Sequence, residues 1–227
     1  MFELNQQTAQ YAKDADLLSG YINESGQYTG HFESAIWHVK NGVNGKSEGI
    51  FFHFVSDAKQ KARFYINTSY RNGEKNQSGL NLVYAILACL RERSAGTPSD
   101  CLIRQYDKDA GQIVDMIKPC FTSLQNKPIG LVIQMIQEDG DDYPKPSILA
   151  PFEASSGFTA SEILNSSKDK TVLDKLLKHI EDKPLYDKRT NKFNSSATPP
   201  APPTAQSPYQ TTQQTPATDD IDDDIPF

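Results

Sequence analysis

Gly49-Ile50-Phe51-Phe52-His53-Phe54-Val55 is a dense run of β-forming residues, and the fold class follows from it. On its N-terminal side, Lys40-Asn41-Gly42-Val43-Asn44-Gly45-Lys46 carries two Asn-Gly pairs, the strongest short hairpin signal. Before that hairpin lies a long β pattern that begins at Gln27. Tyr28, Phe32 and Ile36 share one parity, and Ala35, Trp37 and Val39 share the other. Apolar residues on both parities imply a curved strand buried on different faces along its length, with Gly30 marking the bend. On the C-terminal side, a polar turn at 56–60 leads into an alternating run over 61–70. There Phe64, Ile66 and Thr68 face one way, and Arg63, Tyr65 and Asn67 face the other.

The β pattern then stops. Ser78 is a candidate N-cap, and Leu80, Val83, Tyr84, Leu87 and Leu90 fall on one helical stripe. Arg91 and Arg93 suit a last turn, and Gly96 and Pro98 end the element. Strands return at 101–106, 112–117 and, most clearly, 129–137, with a last one over 147–152. Three strands, a helix and further strands is the chain order of the OB barrel. The fold class expected is therefore mainly β with helices: an OB-like antiparallel β-barrel, a helix after strand three and a C-terminal helical region. Thr159-Ala160-Ser161-Glu162 has the pattern of a capping box. It opens a helix or helix pair with Ile163, Leu164, Val172, Leu173, Leu176, Leu177 and Ile180 on its apolar face, stopped by Pro184. Residues 1–20 are polar with scattered apolar positions and read as an arm or short helix.

The chain divides into a body over 1–189, a linker over 190–218 and a tip over 219–227. The linker is rich in Ser, Thr, Pro, Gln and Ala and reads as disordered, extended in part by its prolines. Its roughly 30 residues would put the tip on the order of 30 Å from the body. The net charge is −6, but residues 190–227 hold only Lys192 against five Asp. The body is thus close to neutral, and any nucleic-acid site must come from local clustering of charge. Cys89, Cys101 and Cys120 are widely spaced, with no Cys-x-x-Cys and no nearby His pair. They read as reduced thiols in a cytosolic protein, with no zinc site and no disulfide framework. No apolar run is long enough to cross a bilayer, and no signal peptide is visible.

The clustering sits between His38 and Lys75. Lys40, Lys46, Lys59, Lys61, Arg63, Arg71 and Lys75 are opposed only by Glu48, Asp57 and Glu74. Among them lie Phe51, Phe52, Phe54, Phe64, Tyr65 and Tyr70, with Trp37 just before. Rings interleaved with cations are what a single-strand platform needs: bases stack on rings whatever their sequence, and cations follow the phosphates. Phe52, Phe54 and Phe64 read as core. The DNA-binding candidates are Trp37, Lys40, Lys46, Phe51, His53, Lys61, Arg63, Tyr65, Tyr70 and Arg71.

Catalytic motifs are absent: no Walker A loop, no Gly-x-Ser-x-Gly, no His-Glu-x-x-His. His31, His38, His53 and His179 form no ligand-spaced cluster. Glu138-Asp139-Gly140-Asp141-Asp142 lacks the distal Glu of a calcium loop and reads as a solvated turn. No catalytic residue, metal or cofactor is expected.

The tip reads Asp219-Asp220-Ile221-Asp222-Asp223-Asp224-Ile225-Pro226-Phe227: five carboxylates, no cation and an apolar close. Such a segment suits a basic-rimmed apolar pocket on a partner. Asp222, Asp223, Asp224, Ile225, Pro226 and Phe227 closely resemble the acidic tip of bacterial single-stranded DNA-binding proteins, and the preceding linker is similar in kind. That resemblance implies docking onto replication, recombination and repair enzymes. The body does not match the bacterial proteins. It resembles more loosely the single-stranded DNA-binding proteins of bacteriophages and prophages, through residues 127–134, Phe152-Glu153 and Gly157-Phe158-Thr159-Ala160-Ser161-Glu162-Ile163. The function expected is sequence-nonspecific coating of single-stranded DNA in the cytoplasm of a bacterial host, with recruitment through the tip and oligomers allowed. Two alternatives stand beside it: a recombination or annealing accessory whose body binds protein, and a nuclease using the acidic loop for metal.

Overall fold

The computed structural model describes residues 20–43, 45–107 and 111–191. The expected N-terminal arm before Gly20, most of the linker and the whole 219–227 tip lie outside the described residues. What is described is mainly β: a curled, open sheet forming a half-barrel, with few helices.

Nine strands build the sheet: β1 (Gly20–Tyr21), β2 (Gly26–Gly42), β3 (Gly45–Ser56), β4 (Gln60–Ser69), β5 (Ser99–Asp107), β6 (Gln112–Cys120), β7 (Pro128–Gln137), β8 (Lys145–Phe152) and β9 (Leu185–Asp187). One path through the sheet runs β1-β4-β3-β2-β6-β5, and β7 joins β2 to β8 and β9. β2 is the spine. Its first half pairs with β7 from Gly26↔Ile133 to His31↔Pro128, its far half reaches β6 at Ile36↔Cys120, and β3 runs antiparallel along it.

β2 can serve both halves because its pleat changes side. A bulge falls between Phe32 and Ser34 in the β2–β3 register. Before it, Phe32 pairs with Phe54; after it, Ala35 pairs with Phe52, and all four are buried. The extra residue, Glu33, is exposed. A bulge bends a strand and shifts its alternation by one, which is why apolar residues occupy both parities. Gly30 allows the close approach next to it, since a Cβ there would lie 2.1 Å from the Val55 carbonyl oxygen.

The main core lies inside the curl, where the Phe32 ring sits 4.6 Å from Phe52 and 6.0 Å from Phe54. Burying each such ring contributes about 1.5–3 kcal/mol. β7 is buried along nearly its whole length, as its apolar residues on both parities required. Helix α1 (Gln77–Cys89) packs against β4 and β8. It covers the core where those two strands approach without pairing. Its face is Val83, Ile86, Leu87 and Leu90. Tyr84, expected on that stripe, is 58% exposed. The N-cap is Asn76, not Ser78: the Asn76 side chain accepts a hydrogen bond from the Gly79 N–H at 3.3 Å. The helix also ends before Arg91, which has a left-handed φ of 57° and pairs instead with Glu153 at 2.7 and 3.2 Å. That pair ties the end of α1 to the residue after β8.

The C-terminal helical region is a pair, α2 (Ala160–Leu164) and α3 (Val172–Asp182). Leu173 and Ile180 of α3 join Val132 and Phe152 in a second core on the other side of β7, with Leu176 and Leu177 packed against it. Leu164, expected on the apolar face, is exposed. A last short helix, α4, spans Lys188–Asn191. Among the described residues, no helix is long and apolar enough to cross a membrane.

Candidate nucleic-acid interface

β3 and β4 alternate without interruption from Val55↔Lys61 to Gly49↔Asn67. Their inward residues are the core rings Phe52, Phe54 and Phe64, all buried as expected. Their outward residues form one patch, because directly paired residues project to the same face. Phe51 pairs with Tyr65, and His53 pairs with Arg63. On β2, beyond the bulge, Ser34, Ile36 and His38 pair with His53, Phe51 and Gly49, so His38 joins the same face.

The rings touch. Phe51 and Tyr65 have centroids 4.6 Å apart at 39°, and His38 stands edge-on to both, at 5.1 Å from Phe51 and 6.2 Å from Tyr65. The Arg63 guanidinium carbon lies 4.5 Å from the Phe51 ring centre. Gly49 makes room for this arrangement: a Cβ there would come within 2.6 Å of the Tyr65 ring. The result is a half-buried aromatic platform with an exposed cation beside it.

Burial and charge set the protonation of the patch. Burial lowers the His38 pKa, and Lys118, Lys40 and Arg63 lower it further. Burial and Arg63 lower that of His53, against a smaller opposing pull from Glu33. Both imidazoles are therefore neutral at pH 7 and present flat, uncharged rings. His53 Nδ1 lies 3.0 Å from the Ser34 hydroxyl oxygen. Among the described residues, the buried atoms His53 Nε2 and Asn67 Oδ1 on this face have no hydrogen-bond partner.

Of the candidates named from sequence, Phe51, His53, Arg63 and Tyr65 come together at the centre. Lys61 lies on the same face at its edge, opposite Val55, and Lys40 lies on it two residues beyond His38, at the next position on that face. Lys46, Tyr70 and Arg71 gather at the end of the β2–β3 hairpin. Lys46 is held by Glu48 at 2.8 Å, and the Arg71 carbonyl oxygen would lie 2.1 Å from a Cβ on Gly45. Trp37 is not part of the platform. It pairs with Ile50, which pairs with Ile66, so it projects to the core side. The bulge explains the difference. Two contributors escaped the sequence reading, His38 and Lys118. His38 is found by carrying the parity change through β2; Lys118 is placed by the long-range pairing of β2 with β6, for which the sequence holds no local signal.

The acidic loop after β7 is a turn held by its own residues. The Gln137 side chain donates to the Asp141 carbonyl oxygen at 2.6 Å, and Asp141 pairs with Lys145 at 2.6 Å. Among the described residues, no group of three His, Cys, Asp or Glu side chains is placed to hold a metal ion. No family model matches the chain, and no curated protein sequence matches it.

Proposed function

We propose that this protein binds single-stranded DNA without sequence preference, using an OB-like half-barrel as the body of the site. The observation that carries the reading is the platform of Phe51, Tyr65, His38 and Arg63 on the outer face of β3 and β4. Three further features support it. β2-β3-β4, then α1, then β7-β8, with β2 paired to β7, is consistent with the chain order of an OB barrel. In an OB barrel the second and third strands present the oligonucleotide-binding face, and in this reading β3 and β4 are their counterparts. Finally, the cations Lys40, Lys61, Arg63 and Lys118 surround the rings, which suits a backbone that must be neutralised while its bases stack. The partner half of the proposal rests on Asp222, Asp223, Asp224, Ile225, Pro226 and Phe227, which resemble a docking tip for replication and repair proteins.

Fluorescence anisotropy with labelled oligo-dT tests the DNA site. Tyr65→Ala, in a protein that stays folded, should weaken binding by about 1–3 kcal/mol, the range for losing one base–ring stack. Affinity should fall with salt by roughly 0.7 log units per log unit for each phosphate neutralised. Binding should persist in EDTA, and the oligonucleotide should remain intact with Mg²⁺. Wild-type affinity in the Tyr65→Ala protein would remove the platform from the site; metal-dependent cleavage would favour a nuclease.

A further inference from the structure

β5 and β6 form a two-stranded ribbon in register from Ser99↔Cys120 to Asp107↔Gln112, joined among the described residues to the rest of the sheet only at the Ile36↔Cys120 end of β6. One face carries Cys101, Ile103, Val114, Met116 and Lys118, and its Lys118 reaches the charge environment of His38. The other face is unusual. Beyond the Asp100–Pro119 pair near the junction, it presents three cross-strand rungs: Leu102 with Ile117, Arg104 with Asp115, and Tyr106 with Ile113. Leu102 and Ile117 are each 69% exposed, Ile113 61% and Tyr106 58%. Two apolar rungs therefore stand in solvent on either side of one charged rung. The Arg104–Asp115 pair is itself loose, at 3.7 Å with both side chains mostly exposed.

We propose that this ribbon face is a self-association surface that packs on the same face of a second copy of the chain. The charge pattern selects that occupant. The face carries Arg104 against Asp115 and, at its Pro119 end, Asp100, so it has no excess of positive charge to attract a nucleic acid or a strongly acidic peptide. It is instead complementary to itself. A two-fold axis lying between two stacked ribbons, parallel to their strands, sets β5 of one over β6 of the other. Arg104 then meets Asp115 of the second copy, and Asp115 meets its Arg104. Leu102 covers the second copy's Ile117, and Tyr106 its Ile113. The interface is isologous and closed, as a two-fold contact must be. An axis across the strands would set Arg104 against Arg104, so the charged rung also fixes the orientation. The ribbon is a two-stranded element with an uncovered apolar face, and such elements gain most from a partner. Lys118 and the aromatic platform lie on the opposite face of the same sheet, so the contact leaves them open. The proposal does not depend on what that platform binds.

Sedimentation velocity on the full chain across the micromolar range tests it. The wild type should sediment at twice 25.3 kDa. Ile117→Asp should be monomeric with an unchanged far-ultraviolet circular dichroism spectrum. Arg104→Asp and Asp115→Arg should each be monomeric, since each sets like charges against each other across the axis. An equimolar mixture of those two variants should recover the dimer, because opposite charges then meet at both positions. These two positions are solvent-exposed, so they keep the test valid should Ile117→Asp fail to fold. A monomeric wild type, a dimer that survives Ile117→Asp, or a mixture that stays monomeric would overturn the proposal.

Discussion

Glu162 organises the C-terminal region through one carboxylate. One oxygen accepts the Thr159 N–H at 2.9 Å and the Thr159 hydroxyl at 2.8 Å; the other accepts the Thr171 and Val172 N–H groups at 2.8 and 2.9 Å. It therefore caps the first turn of α2 and the first turn of α3 together, satisfying donors that helix starts leave open. Burial pushes its pKa up, but the hydrogen bonds from Thr159, Val172 and Thr171 outweigh that and hold it at about 2. A depressed carboxyl stabilises the fold above its unfolded-state value and loses that contribution as pH falls through the folded value. Glu162→Gln should cost about 1–3 kcal/mol at neutral pH, the range for buried donors left unpaired. The gap between wild type and variant in urea denaturation should hold from pH 7 to about 4.5 and close as pH drops toward 2. A gap constant down to the acid limit would show that the charge contributes nothing. The capping-box pattern was legible at Thr159-Ala160-Ser161-Glu162; the second cap was not, because Thr171 and Val172 reach Glu162 only through the fold of the 165–170 segment.

At the scale of the element, β3 and β4 show what regular alternation permits and β2 what a bulge takes away. Phe51, Arg63 and Tyr65 were legible as one outward face because neither strand slips between residues 49 and 67. Trp37 falls on the opposite face from the Phe51–Tyr65 platform, and His38 joins it, because the added residue at Glu33 reverses sidedness downstream of it. The β5–β6 ribbon is a different case: its strands were legible, but not that the ribbon runs past the core and leaves the apolar Leu102, Ile113 and Ile117 exposed. The closeness of β3 to β4 also yields a test. A Cβ at Gly49 would meet the Cε2, Cζ and hydroxyl of Tyr65 at 2.6 Å. Gly49→Ala should push the end of that side chain aside without touching backbone. Oligo-dT affinity should fall by an amount comparable with Tyr65→Ala, while the urea midpoint drops by less than the 1–3 kcal/mol typical of core overpacking. Unchanged affinity in Gly49→Ala would mean that the ring's position is immaterial to the site.

Over the whole molecule, charge is partitioned rather than mixed. Residues 38–75 carry a net +4, whereas residues 219–227 carry five Asp and no cation, in a chain whose total is −6. Opposite charges on one chain attract, and the attraction is screened over about 10 Å at 0.1 M salt. In the proposed function, the acidic segment would compete for the same cations that would meet phosphates. Deleting residues 219–227 should leave oligo-dT binding intact at physiological salt and tighten it modestly at low salt. Phe227→Ala separates charge from docking, since it keeps every Asp while removing the ring that would fill a partner's apolar pocket. Its DNA titration should match the wild type at every salt concentration. Its recovery of a repair exonuclease of the kind bound by bacterial acidic tips should be lost in a pull-down that succeeds with the wild type. Equal recovery by both proteins would eliminate Phe227 as the docking residue. Loss of DNA affinity on deleting 219–227 would place those residues within the DNA site, and the basic face and the acidic segment would then have to be understood as one surface.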